Sequence, residues 1–232
     1  MLQLLAQHPD VLHRAGLASA VLSIYAFWPY ISDILAGRTR PERASWLIWA
    51  LLSAVSLLAQ IYEGADGSLG FAVTQTLGTV VICGLTFWKT TQLRFKTEDS
   101  QVLTATAVGI WLWAEMESAV YSLFVTISMS MMGGLLTMKK AFLDPTSETW
   151  ATWAAFFVSA ALAVVAIGQA DWLLMAYPLY VMALSGGIMA AMGLGHLRVA
   201  RRQADAPQEQ RHQRLTLSVM SFQRAGSPTA SE

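Results

Sequence analysis

Stretches of about 18 to 25 apolar residues recur along this chain, too long and too continuous for the helices of a water-soluble core. A backbone in hydrocarbon must satisfy its own hydrogen bonds, so such runs cross a bilayer as α-helices. Seven crossings are predicted: Val11–Leu35, Ser45–Tyr62, Ser68–Trp88, Glu98–Ala114, Ser118–Met138, Thr149–Ile167 and Trp172–Gly195. The fourth is the weakest. Its strictly apolar part, Val102–Ala114, is shorter than the ~20 residues that span a ~30 Å hydrocarbon core. It must take in Ser100 and Gln101 or lie shielded among its neighbours. The composition agrees with an integral membrane protein: 55% of residues are hydrophobic and only 13% charged.

The charges settle the number of crossings. Net charge is zero, but 14 of the 15 Lys and Arg residues fall in segments 36–44, 88–101, 139–148 and the tail from Arg198. The opposite side carries Arg14 alone, with Glu63, Asp66, Glu115, Glu117 and Asp171 in its turns. By the positive-inside rule the N-terminus is outside and the C-terminus cytoplasmic, as in a bacterial inner membrane. Removing the fourth crossing would send Lys139, Lys140 and the basic tail outside, so seven is preferred. The start MLQLLAQHPD lacks a basic n-region and is not read as a cleaved signal. The lone Cys83 offers no intrachain disulfide, and the four histidines have no metal-ligand spacing.

Within this frame one phrase occurs twice. PERASWLIWA at 41–50 and PTSETWATWA at 145–154 share the pattern P-x3-[Ser/Thr]-W-x2-W-A, 104 residues apart. Nine tryptophans in 232 residues make four at matching offsets an improbable coincidence, so the chain is read as two copies of one unit. The organisation expected is an N-terminal segment (1–10), a first three-helix repeat (11–90), a loop and linker helix (91–117), a second repeat (118–197) and a disordered tail (198–232). An odd linker helix between triplets gives the copies the same orientation, hence parallel repeats. Ser45 and Thr149 are expected to cap the helices that follow Pro41 and Pro145. Trp46 with Trp49, and Trp150 with Trp153, lie three apart on one face near the headgroups. They form either an aromatic belt or part of a gate.

Two parallel three-helix units joined by a linker helix, with the N-terminus outside, resemble the SWEET, PnuC and PQ-loop superfamily of transporters, over roughly residues 11–195. That resemblance implies a hinge proline in the first helix of each unit. Pro29-Tyr30 stands at this place in the first copy, but Leu136-Thr137 in the second, and the PQ dipeptide is absent from both. Gly133-Gly134 could loosen the second helix instead.

Intramembrane charge is nearly absent. Asp33 is the only carboxylate well inside a predicted span, and pairing with Arg38, Arg40 or a loop lysine is favoured over proton coupling. The polar groups at depth are neutral, which suits a neutral polar solute and facilitated diffusion. The binding candidates are Gln75, Thr79, Tyr180 and Ser185, led by Gln75, whose amide is poorly tolerated facing lipid. The gating or hinge candidates are Pro29, Asp33, Pro41, Trp46, Trp49, Gly133, Pro145, Trp150 and Trp153. Ala151, Ala155, Ser159 and Ala163, four apart, read as a helix-packing seam.

A retinal protein would need a lysine in the last span, and 172–195 has none. An enzyme would need convergent His, Asp, Glu or Cys at one depth, so no enzyme and no cofactor or metal is expected. The partners expected are the bilayer and a small neutral solute of sugar, nucleoside or vitamin type, with room for a homo-oligomer and no nucleic acid. The rival reading is a non-transporting membrane scaffold or sensor of the same fold, acting through its Arg-rich tail.

Overall fold

The computed structural model describes residues 8–62, 69–89, 96–115, 119–168, 170 and 172–225. Among these, all regular structure is helical: α1 Pro9–Leu35, α2 Arg43–Tyr62, α3 Leu69–Lys89, α4 Thr97–Ala114, α5 Ala119–Leu143, α6 Trp150–Ile167 and α7 Trp172–Ala225. Three of them, α1, α6 and residues Leu174–Ala204 of α7, are each long and apolar enough to cross a membrane. Glu63, Asp66, Glu117 and Asp171, expected in turns, lie outside the described residues.

Helix ends follow local chemistry. α1 carries a proline in its first turn, where the missing N–H is no loss. It stops where Gly37 takes a left-handed conformation, φ +73°, open to glycine without steric cost. The Gly37 N–H then reaches the Ile34 carbonyl at 3.0 Å and the Arg38 N–H the Asp33 carbonyl at 2.9 Å, the paired bonds of a Schellman cap.

Helix packing is regular. α3 lies against both α1 and α2, while α7 lies against both α5 and α6. Across the two groups, α1 packs on α6 and α2 on α5; α4 sits outside, against α5 and α2. The core runs through the middle of this arrangement and includes Phe27, Tyr30 and Ile34 of α1, Trp46 of α2, Trp153 of α6, and Leu184, Ile188 and Met192 of α7. α7 passes close to the end of α5 at Gly195. A Cβ there would stand 2.7 Å from the Phe142 carbonyl oxygen, so only glycine allows this approach.

The basic residues gather at one end of the bundle. Lys89 donates to the Leu35 carbonyl, Lys140 to that of Arg40 and Arg198 to that of Leu143. Arg40 pairs with Asp144 at 2.5 Å. Long apolar side chains such as Leu17, Val21, Leu58, Leu77, Phe124 and Leu174 face outward along the helix flanks.

Several expectations are corrected. Ser45 is not a cap, because α2 begins at Arg43; its hydroxyl reaches across to the Gly133 carbonyl at 2.6 Å. Thr149 does occupy the N-cap of α6, but makes no capping bond and donates instead to Asp33 at 2.8 Å. In both cases a tertiary partner outcompeted the local one. α5 runs unbroken through Gly133-Gly134, where close neighbours rather than bending explain small residues. From Arg198 onward, where disorder is expected, α7 continues to Ala225. That segment is rich in Arg, Gln and Ala, all good helix formers, a preference that low hydrophobicity alone does not register.

Candidate functional site

Between the two helix groups lies a cavity of about 630 Å³. Ser19, Ser23 and Phe27 come from α1, Trp46 to Ser56 from α2, and Gln75, Thr76 and Thr79 from α3. Leu123, Thr126 and Ser130 of α5, Trp153 to Ala163 of α6 and Tyr177 to Ser185 of α7 complete the wall. α4 contributes none of these residues. No Asp, Glu, Lys, Arg or His is among them.

The helices present this surface in layers. Toward the basic end the cavity stops at a floor of packed rings: Phe27, Trp46, Trp49, Trp153 and Phe156. Trp46 and Trp49 meet edge to face at 5.1 Å between centroids, Trp49 and Trp153 at 6.2 Å, and Phe27 and Phe156 at 5.4 Å. Each such pair adds ~0.5–1.5 kcal/mol beyond its buried area. Above the floor the walls carry hydroxyls.

Most of these hydroxyls are already engaged. Thr79 shares a 2.7 Å bond with Ser53 and donates back to its own helix, as Ser and Thr hydroxyls in helices often do. Ser19 and Ser159 donate to each other's carbonyls, each at 2.8 Å, and tie α1 to α6. Two oxygens differ: Tyr180 Oη and Ser185 Oγ are buried, at 8% and 1% residue exposure, and have no hydrogen-bond partner. The Ser130 hydroxyl and the Trp49 indole are the polar neighbours of Tyr180, and Trp49 Nε1 donates to the Ser130 carbonyl at 3.2 Å. A stranded buried hydroxyl costs ~1–3 kcal/mol, a cost that a bound polar ligand would remove.

Below the floor lies a second polar cluster. Tyr30, fully buried, donates to Glu148 Oε2 at 2.8 Å and accepts from Trp46 Nε1 at 3.1 Å. Trp153 Nε1 donates to the same carboxylate oxygen at 3.0 Å. Glu148 Oε1 stands 2.5 Å from Lys140 Nζ, a full ion pair although off-axis for a hydrogen bond. Lower still, Asp33 pairs with Arg38 at 2.5 Å and accepts from Thr149, whose hydroxyl also meets that of Thr39 at 2.6 Å.

The four binding candidates, Gln75, Thr79, Tyr180 and Ser185, therefore line one cavity, and Trp46, Trp49 and Trp153 form its floor. Trp150 is apart from them, at 46% exposure against 2% for Trp46, so the two copies of the motif do not occupy equivalent surroundings. Asp33 has the expected partner in Arg38, while Pro29 lies within a continuous α1. Gly133 packs beside Ser45 and Trp49. Pro41 and Pro145 head adjoining loops, linked by the Arg40 N–H to the Ser147 carbonyl at 3.0 Å. Sequence reasoning missed Tyr30, Lys140 and Glu148. The one available signal was Glu148 itself, which stands within the second motif copy where the first has Ala44, yet reads as an ordinary loop charge.

No family model, no curated protein and no solved structure matches this chain.

Proposed function

We propose that this protein is a seven-span membrane facilitator for a small neutral polar solute, working by alternating access between two parallel three-helix units, α1 to α3 and α5 to α7, joined by α4. The cavity carries this reading. It takes its walls from both units, offers aromatic rings and hydroxyls but no charged side chain among the described residues, and contains two buried hydroxyls without a partner. Its volume falls within the ~300–1,000 Å³ typical of small-molecule sites.

The packing pattern supports two copies of one unit. Exchanging α1 with α5, α2 with α6 and α3 with α7 carries every main contact within one group onto a contact within the other. The same exchange turns the α1 and α6 contact into that of α5 and α2. Clustering of basic residues at one end agrees with a cytoplasmic location for that end.

In this mechanism a solute enters from the end away from the floor, lies over the indoles and hydrogen-bonds to Tyr180 and Ser185, with Gln75 on the facing wall. The floor then parts as one unit rocks against the other. With no charged lining, no ion need accompany the solute.

The test is a thermal-shift screen of the detergent-purified protein against sugars, nucleosides, vitamins and amino acids, followed by flux of any stabilising solute into proteoliposomes. Binding without flux would favour a sensor, and no binding across the screen would favour a scaffold.

A further inference from the structure

The aromatic floor rests on an ion pair that takes no part in lining the cavity. Lys140 and Glu148 have side-chain exposures of 19% and 0%, and both belong to the second helix group, on α5 and in the loop just before α6. Each also grips the first group. Lys140 donates to the Arg40 carbonyl, and Glu148 accepts from Tyr30 of α1, which in turn holds the Trp46 indole of α2. Glu148 also holds the Trp153 indole. One carboxylate thus fixes two of the three floor tryptophans, one directly and one through Tyr30.

A buried ion pair behaves differently from the rings above it. Apolar surfaces can slide with little change in energy, but a fully buried carboxylate can leave its ammonium partner only if water reaches it. The Lys140 side chain is partly exposed at the basic end, so water reaches the pair from that side, whereas packed rings lie between the pair and the cavity. Closure and pairing are therefore one event.

We propose that the Lys140–Glu148 pair is the latch of an inner gate. Paired, it clamps Trp46 and Trp153 beneath the cavity; parted and hydrated, it opens the cavity toward the basic end. Its biological use rests on the transport reading above, but the closure can be measured with no solute present.

The reporter is Ala44→Cys in a Cys83→Ala background. Ala44 is fully buried in the first turn of α2, at the basic end. The rate of labelling by a small thiol reagent is measured in detergent for the otherwise native chain, Glu148→Gln, Lys140→Met and the double variant, which removes both charges and strands neither. A control reporter, Ala15→Cys, is buried at the far end of α1.

Loss of the pair should speed labelling of the Ala44→Cys reporter by about tenfold or more and leave the Ala15→Cys reporter unchanged. Unchanged labelling in any folded variant, or equal acceleration of both reporters, would overturn the latch, as would failure of all three variants to fold. Faster labelling at the basic end in a protein that moves no solute would uphold the latch and sink only the transport reading.

Discussion

Replacing Tyr30 with Phe removes a single oxygen from a fully buried ring and keeps the ring's packing against Trp46, 4.9 Å away between centroids, and Trp153. That oxygen makes two hydrogen bonds, one to the Glu148 carboxylate and one from the Trp46 indole. A bond to a charged group contributes ~1.5–3 kcal/mol, and the indole N–H left without its acceptor adds ~1–3 kcal/mol. The expected loss is therefore about 2.5 to 6 kcal/mol, or roughly a 5 to 25 °C fall in midpoint for a chain of this size. Trp46 and Trp153 report the change directly, so the assay is thermal unfolding in detergent followed by tryptophan fluorescence. A double-mutant cycle with Glu148→Gln should show coupling of ~0.5–3 kcal/mol. A Tyr30→Phe change within about 0.5 kcal/mol of the parent, the scale of a neutral surface substitution, would refute the load assigned to this hydroxyl.

Other outcomes follow from the same geometry. Tyr180→Phe and Ser185→Ala should leave the midpoint unchanged or raise it, since each removes a stranded hydroxyl, yet weaken binding of a screened solute by about a few-fold to tenfold. A lower midpoint with intact binding would place the solute elsewhere. Gly195→Ala should destabilise by ~1–3 kcal/mol, because its methyl group would meet the Phe142 carbonyl; a neutral midpoint would show that α5 and α7 can separate freely. Cysteine at Glu115 should react with an impermeant reagent added outside cells and cysteine at Thr146 should not, both positions being exposed at opposite ends of the bundle; the reverse pattern would invert the topology. Burial raises the Glu42 carboxyl above its usual range, with Lys140 opposing and Asp99 reinforcing the shift. The folded state then binds this proton more tightly, so stability should fall as pH rises through the raised value, a slope that Glu42→Gln should flatten in denaturation curves across that range.

The all-helical class, the scarcity of charge within the apolar runs and the gathering of basic residues between particular helices are legible in the chain alone, because hydropathy and charge act locally along it. The sequence also marked Gln75, Thr79, Tyr180 and Ser185, since polar groups stand out in apolar helices. The fold alone reveals that these share a cavity, that Thr79 is already bonded while Tyr180 and Ser185 are not, and that Trp46 is buried where its repeat counterpart Trp150 is exposed. Glu148 marks the boundary between the two. In sequence it is a polar residue between a proline and a helix start, indistinguishable from a solvated loop charge. Its burial comes from Tyr30, Lys140 and Trp153, of which Tyr30 lies 118 residues away. Hydrophobic period and charge can be read one segment at a time, but a buried carboxylate is stable only where partners from other segments meet it, and that meeting belongs to the fold.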